Sequence, residues 1–298
     1  MLEKEKPKVI TDGQGLLLIQ DLKKMFPESD LHVPIQTKDK HSFAMLYRNQ
    51  GGEFVAKIYS GRNDRFRVKN EVAAVEIARS VGVPTPRVKP LETSFGRVGI
   101  ITSRATGSGK DYASYSLSDL EATLAIIEAT HDVLGNSFGF PAGDLLQGKS
   151  DQASFFGNLY LYGLSKFRLD QETFRYWDLV RDLDQSSEFV FSHRDLKPQH
   201  TFFDGPDLAG VIDWEHSTFV DPVLDYTILY SNLCVGGRTD LAEVVKENGL
   251  EKFGEQRFNL FSGREFLMIA TFVTKDEKNQ SQVINMAREH LIRGQNRA

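Results

Sequence analysis

Cysteine is nearly absent from this chain: of 298 residues, only Cys234 is one. A disulfide framework is therefore excluded, a cysteine-based zinc site has no ligand set, and a reducing cytoplasm is the expected compartment. No apolar run approaches the ~18–20 residues that a membrane span needs. The opening MLEKEKPKVI alternates charge and has no apolar h-region, so no secretory signal is expected there. Seven histidines are present without H-E-x-x-H spacing, which leaves no zinc-hydrolase pattern. An excess of positive charge is also missing: the formal net charge is −5, which argues against a general nucleic-acid binder. What remains is ordinary for a soluble globular protein, with 40% apolar and 26% charged residues. The length suits one large domain or two lobes.

The net charge hides a gradient. Residues 1–110 carry a net +7, residues 111–190 a net −8 and residues 191–225 a net −5. A basic first third and an acidic middle predict an anion site followed by a cation or metal site.

Local patterns divide the chain the same way. Residues 14–26 have helical spacing and stop at Pro27. Ser42–Arg48 and Glu53–Tyr59 flank a turn at Asn49–Gly52 and predict a hairpin. A helix is expected near Arg65–Ser80, ended by Gly82 and Pro84, with strands near Arg87–Leu91 and Val98–Ser103. Beyond Thr106 the pattern turns helical. Ser118 and Glu121 read as a capping box for a helix near 119–134, with Leu120, Leu124, Ile127 and Leu134 on its apolar face. Residues 151–184 read as helical. Phe189–Phe191 and Leu208–Asp213 read as short strands. Asp221 and Pro222 read as the cap and first position of a helix to about Leu233. Three more helices are expected, over Thr239–Gly249, Gly263–Val273 and Asn279–Ile292.

The chemistry lies between Phe189 and Tyr226. Here His193-Arg194-Asp195-Leu196-Lys197-Pro198-Gln199-His200 precedes Ile212-Asp213-Trp214. Asp195 and Asp213 are 18 residues apart, each after a short apolar strand, with a turn at Asp204-Gly205-Pro206 between them. A strand–loop–strand hairpin is expected to bring both carboxylates to one end of a cleft. Phosphoryl transfer needs such a pair, one carboxylate for the acceptor hydroxyl and one for the metal on the phosphates.

HRDLKPQ resembles a protein-kinase catalytic loop. Together with GVIDWEHSTFVDPVLDY, it more closely resembles the aminoglycoside phosphotransferase and choline-kinase family. The resemblance extends over about residues 35–235. It implies an α+β, protein-kinase-like two-lobed fold: a small antiparallel β lobe over 1–105, and a mostly helical lobe over 106–298 with its catalytic loop at 193–200. It also implies roles. Asp195 is the catalytic carboxylate, and Lys197 touches the transferring phosphate. Lys57, in FVAKIY, binds phosphate and is oriented by Glu71. The backbone of Ser103, Arg104 and Ala105 meets the base of ATP or GTP, and Asp213 with His200 binds Mg²⁺. Asp221 and Asp225 read as a cap and a brace, His193 as a loop anchor, His131 as a core histidine, and Trp214 and Glu215 as packing and capping groups. The expected acceptor is a small, cationic hydroxyl compound, an antibiotic or a metabolite, with no nucleic acid or membrane partner.

Several departures from the family pattern stand out. His200 occupies the position of the metal-binding asparagine, as in the similar H-x-D-x-x-x-x-H of macrolide and 2″-aminoglycoside phosphotransferases. The turn Gln36–His41 has no glycine, although Lys38 and Lys40 could reach phosphates. Apart from the family pattern, Gly107-Ser108-Gly109-Lys110 fails as a P-loop, because Arg104 and Asp111 stand where Gly and Ser/Thr belong, and it reads as the inter-lobe linker. Only seven residues separate Asp213 from Asp221, too few for the segment on which protein substrates dock. A protein-directed kinase and a nucleotide-binding pseudokinase remain the rival expectations.

Overall fold

Five strands form the first sheet of the computed structural model, in the order β1-β2-β3-β5-β4, with every neighbouring pair antiparallel. They are β1 (Leu31–Ile35), β2 (Ser42–Asn49), β3 (Gly52–Tyr59), β4 (Val88–Glu92) and β5 (Val98–Ser103). The structure describes residues 12–25, 31–35, 42–49, 52–59, 63–143, 167, 188–274 and 276–295. The turn at 36–41 and the helical expectation over 151–184, apart from residue 167, lie outside them. Strand β1 has no counterpart among the strand patterns above. It is short and carries Pro34, which a strand tolerates at a sheet edge; Pro90 sits in the other edge strand, β4.

Helix α1 (Asp12–Met25) buries Leu18 and Leu22 with Met45, Ala56 and Ile58 of the sheet. Helix α2 (Asp64–Ser80) turns Val68, Glu71, Ala74, Val75 and Ala78 inward. Its end follows the sequence signal. Gly82 takes φ 82°, its N–H donates to Arg79 O at 3.1 Å, and Val83 N–H donates to Ala78 O at 3.0 Å, the two bonds of a Schellman motif. Gly99 lets β5 lie close on β3, since a Cβ there would sit 2.1 Å from the Lys57 carbonyl oxygen.

The remainder is mostly helical. Helix α3 spans Leu117–His131, with Ser116 rather than Ser118 as its cap. Asp119 N–H donates to Ser116 Oγ at 3.2 Å, and Ser116 N–H donates to Asp119 Oδ2 at 2.8 Å. The box is shifted because Ser118 lies inside the first turn, its hydroxyl 2.9 Å from Ser116 Oγ. Leu134 is likewise off the helix: it is 64% exposed and pairs with Val190 in a short strand. Three two-residue or longer strands build each small sheet. One has the order β10 (Asp207–Val211), β9 (Thr201–Asp204), β6 (Ser108–Gly109). The other has the order β11 (Thr218–Val220), β8 (Phe189–Ser192), β7 (Leu134–Gly135).

Helix α4 (Val223–Val235) is buried almost all round, as its nearly unbroken apolar sequence requires. The assigned cap is Pro222, but Asp221 still accepts from Val223 N–H at 3.0 Å. Helices α5 (Thr239–Phe253), α6 (Glu255–Phe272) and α7 (Glu277–Gln295) complete this part; α6 begins well before the expected Gly263. Phe191 stacks on Trp214 with ring centroids 5.8 Å apart, and both lie in one core with Phe258, Phe261 and Phe266. Among the described residues, no helix is long and apolar enough to cross a membrane.

His290 of α7 is a titration point in this core. Its Nδ1 lies 2.7 Å from Asn259 Oδ1, and its Nε2 lies 3.0 Å from the Tyr230 hydroxyl. Asn259 spends its amide N–H on Glu255 O, so its Oδ1 accepts from His290. The Tyr230 hydroxyl then donates to Nε2, which fits only a neutral ring. Burial, with Arg293 and Lys246 nearby, pushes His290 down to about 4. A base whose folded value lies below its unfolded value stabilises fully above ~6.5 and loses that contribution as pH falls. Lowering the pH from 7 to 4.5 is expected to remove about 2–3 kcal/mol that His290→Gln does not lose. Urea unfolding of both proteins at the two pH values measures it, and equal pH slopes would rule it out.

Candidate active site

The loop after β8 is held by its backbone. Asp225, fully buried at the start of α4, accepts from Arg194 N–H at 2.9 Å and His193 N–H at 3.3 Å. His131 Nε2 meets the same carboxylate at 3.2 Å. His193 Nε2 lies 3.0 Å from Ile212 O, and its Nδ1 accepts from Asp195 N–H at 3.2 Å. Asp225 is thus a brace, His193 an anchor and His131 a buried histidine with a fixed partner. Arg194 and Asp213 are the non-glycine residues with positive φ among those described, at 65° and 70°. Such strained backbone beside both key aspartates is a mark of functional loops.

Asp195 and Asp213 do converge, but not on one hairpin. The hairpin is β9–β10, and Asp195 leaves the other sheet, after β8. His200 stands just before β9 and Asp213 just after β10, so the open end of the hairpin carries that pair. His200 Nδ1 is 2.8 Å from Asp195 O, and its Nε2 is 3.3 Å from Asp213 Oδ2. The carbonyl oxygen only accepts, so Nδ1 holds the proton and the Nε2 lone pair faces Asp213. Burial, opposed by Asp195 and Asp213, lowers His200 to about 4 and keeps the ring neutral. Lys197 Nζ donates to both Asp195 oxygens, at 3.0 and 2.9 Å.

Lys57 reaches this group from β3, where it pairs with Ala44 and Ile100. Its ammonium donates to Asp213 Oδ1, with Glu71 Oε2 at 3.7 Å and Glu215 Oε2 at 3.4 Å. Burial opposes that charge, but Glu71, Asp213 and Glu215 outweigh it and raise the Lys57 value. Burial pushes Glu71 up to about 7 against the pull of Lys57, and the Tyr59 hydroxyl donates to it. Asp213 is driven down: its burial is outweighed by the Lys57 ammonium.

The donor atoms of Asp195, His200 and Asp213 lie within 4.8 Å of one another, as do those of Glu71, Asp213 and Glu215. The first set fits a divalent cation, with carboxylate oxygens and a neutral imidazole lone pair. In the second, Glu71 and Glu215 are already taken up by Tyr59, Lys57 and Arg67.

Ser103, Arg104 and Ala105 lie where the five-stranded sheet gives way to the helical part. Ser103 N–H donates to Arg87 O at 3.3 Å, and the Arg104 guanidinium pairs with Glu53 at 2.6 Å. The cavity of about 550 Å³ that they line is bounded by Arg79, Pro84–Arg87 and Ala209, and contains none of Lys57, Asp195 and Asp213. Arg67 is the site residue that no motif marks. It pairs with Glu215, whose only signal is its place two residues after Asp213.

An antiparallel sheet whose Lys57 pairs with Glu71 of helix α2, set beside a mostly helical part bearing two aspartates and a braced loop, defines a protein-kinase-like phosphotransferase. The chain belongs to the phosphotransferase enzyme family (APH), whose model matches residues 36–261. It is a phosphotransferase of the small-molecule kinase kind, with a hydroxyl as acceptor. A thermostable mutant of aminoglycoside phosphotransferase APH(4)-Ia, solved with AMP-PNP and hygromycin B, superimposes with TM-score 0.72 at 16% identity over 94% of this chain and 99% of its own. Aminoglycoside phosphotransferase APH(2″)-Ib, solved with ADP, gives 0.59 at 14% identity, covering 94% and 99%. A putative fructosamine-3-kinase from Thermobifida fusca gives 0.63 at 14%, covering 89% and 94%. A comparison with curated protein sequences finds no match.

Proposed function

We propose that this enzyme transfers the γ-phosphoryl group of ATP or GTP to a hydroxyl of a small, cationic acceptor. The observation that carries the proposal is the convergence of Lys57, Asp195, His200 and Asp213 on one cluster from three separate segments, with Asp195 and His200 on the same loop. The nucleotide lies between a β lobe over 1–105 and a helical lobe over 106–298. The backbone at Ser103–Ala105 receives its base. Lys57, oriented by Glu71, binds the α/β-phosphates. Asp195 orients the acceptor hydroxyl and takes its proton, and Lys197 moves from Asp195 to the transferring phosphate. Bound Mg²⁺, held by Asp213 and His200 Nε2, supplies charge neutralisation on the phosphates. The acidic segments 111–190 and 191–225 favour a cation as acceptor. The solved relatives bind AMP-PNP with hygromycin B, or ADP, which supports a nucleotide and a small-molecule acceptor.

The direct test is label transfer from γ-labelled ATP and GTP into a pool of aminoglycosides, macrolides and metabolite extract, with Asp195→Ala as control. Label in a small molecule, absent in the control, supports the proposal; label appearing on protein instead overturns it.

His200 also predicts the metal preference. An imidazole ligand suits Mn²⁺ or Co²⁺ better than Mg²⁺, which favours oxygen. Initial rates are expected to be as high with Mn²⁺ as with Mg²⁺, and His200→Asn is expected to move the ratio toward Mg²⁺ by about tenfold. An unchanged ratio removes His200 from the metal.

A further inference from the structure

Three carboxylates compete for Lys57, and one of them is shared with a second cation. Glu215 Oε2 lies 3.4 Å from Lys57 Nζ and accepts from Arg67 Nε at 3.1 Å. Its other oxygen accepts from Arg67 Nη2 at 2.6 Å. The pair is thus a bidentate fork, with the Glu215 side chain 4% exposed and that of Arg67 19%. Both cations also lie against one ring: Arg67 Cζ is 4.5 Å and Lys57 Nζ 4.9 Å from the Tyr59 centroid. The Tyr59 hydroxyl in turn donates a hydrogen bond to Glu71.

We infer that Arg67 is a positioning residue for Lys57: by occupying Glu215, it keeps the lysine available to nucleotide phosphate. The inference rests on the proposed role of Lys57. Nucleotide phosphates must draw Lys57 away from the carboxylates that hold it. Glu215 is buried and cannot lose its counter-charge cheaply. With Arg67 in place, the fork satisfies Glu215, and Lys57 makes only a longer contact to it. Without Arg67, Lys57 becomes the permanently charged group left to compensate Glu215, since His216, 3.6 Å from Glu215 Oε1 and exposed, carries charge only when protonated, and the lysine is pulled off the phosphate. Helix α2 does not depend on Arg67 for its placement. Asn70 Nδ2, one turn further on, donates to Glu215 O and Ser217 O at 3.0 Å each, and those main-chain acceptors survive any change at the Glu215 side chain. Loss of Arg67 therefore acts on the lysine rather than on the helix.

The inference predicts a pattern that lost stability cannot mimic: the second substitution repairs the first. Arg67→Gln is expected to weaken AMP-PNP binding by about tenfold or more. Arg67→Gln/Glu215→Gln, which also removes the carboxylate that captures Lys57, is expected to return it to within about threefold of wild type. Arg67→Lys, which keeps the charge and loses the fork, falls between the two. Calorimetric titration of the full chain with AMP-PNP and Mg²⁺ reads all three without any acceptor. A double variant as weak as Arg67→Gln overturns the inference, as does an Arg67→Gln protein that binds like wild type. If Arg67→Gln does not fold, Glu215→Gln alone decides. Binding within about threefold of wild type supports the positioning role, and a tenfold loss makes Glu215 itself a ligand and overturns it. Lys57→Ala in the wild-type background tests the foundation separately: unchanged AMP-PNP binding there refutes the phosphate role of Lys57, whatever Arg67 does.

Discussion

Replacing Asp195 with Asn should lower kcat by about 10³-fold while leaving nucleotide affinity and folding nearly untouched. The separation follows from how the loop is held. Its conformation depends on main-chain groups: Asp195 N–H bonds His193 Nδ1, Asp195 O meets His200 Nδ1, and Arg194 N–H bonds Asp225. None of these uses the Asp195 carboxylate. That carboxylate meets the Lys197 ammonium, and its side chain is 28% exposed. An amide of the same shape keeps the loop in place but has no basic oxygen for the acceptor's proton. Steady-state label transfer, AMP-PNP titration and thermal unfolding of the one variant check the three parts. More than about a tenth of wild-type turnover would remove Asp195 from proton transfer.

The second large effect is expected at Asp213. Its backbone sits at φ 70° and ψ 50°, in the left-handed region. Asn tolerates that conformation and Ala does not, so Asp213→Asn isolates the charge from the strain. The carboxylate has two partners, Lys57 through Oδ1 and His200 Nε2 facing Oδ2 at 3.3 Å. In the proposed arrangement, removing the charge leaves the metal with His200 alone. Mg²⁺-dependent strengthening of AMP-PNP binding is expected to fall by about 10–100-fold, with turnover falling at least as far. The readout is the ratio of AMP-PNP affinities with and without Mg²⁺. If that ratio survives in Asp213→Asn, Asp213 does not hold the metal.

Much of this site could be read from the chain. Lys57, Glu71, Asp195, His200 and Asp213 each lie in a short motif whose spacing is set by local geometry. A lysine on an alternating strand, a glutamate midway along the next helix and two aspartates after short apolar strands need only period and turn chemistry to place them. The same holds for the elements. The hairpin of β2 and β3, the Gly82 stop of α2 and the apolar helix α4 follow from local pattern. Misplacements arose where local signals were ambiguous. Both Ser116 and Ser118 are followed three residues later by an acid, Asp119 and Glu121, and only the entry of the chain into the helix selects the first.

The sequence by itself determined the parts: the strand and helix periods, the catalytic residue types and the spacing of each motif. Only the tertiary structure decided their partners. Arg67 and Glu215 are 148 residues apart, and Lys57 and Asp213 are 156 apart. Nothing in either segment's local pattern specifies the other. Those pairs form because α2 packs beside the loop that follows Asp213, where buried carboxylates must find cations or remain uncompensated at high cost. Which cation each carboxylate receives is therefore a property of the packed structure and not of either segment alone.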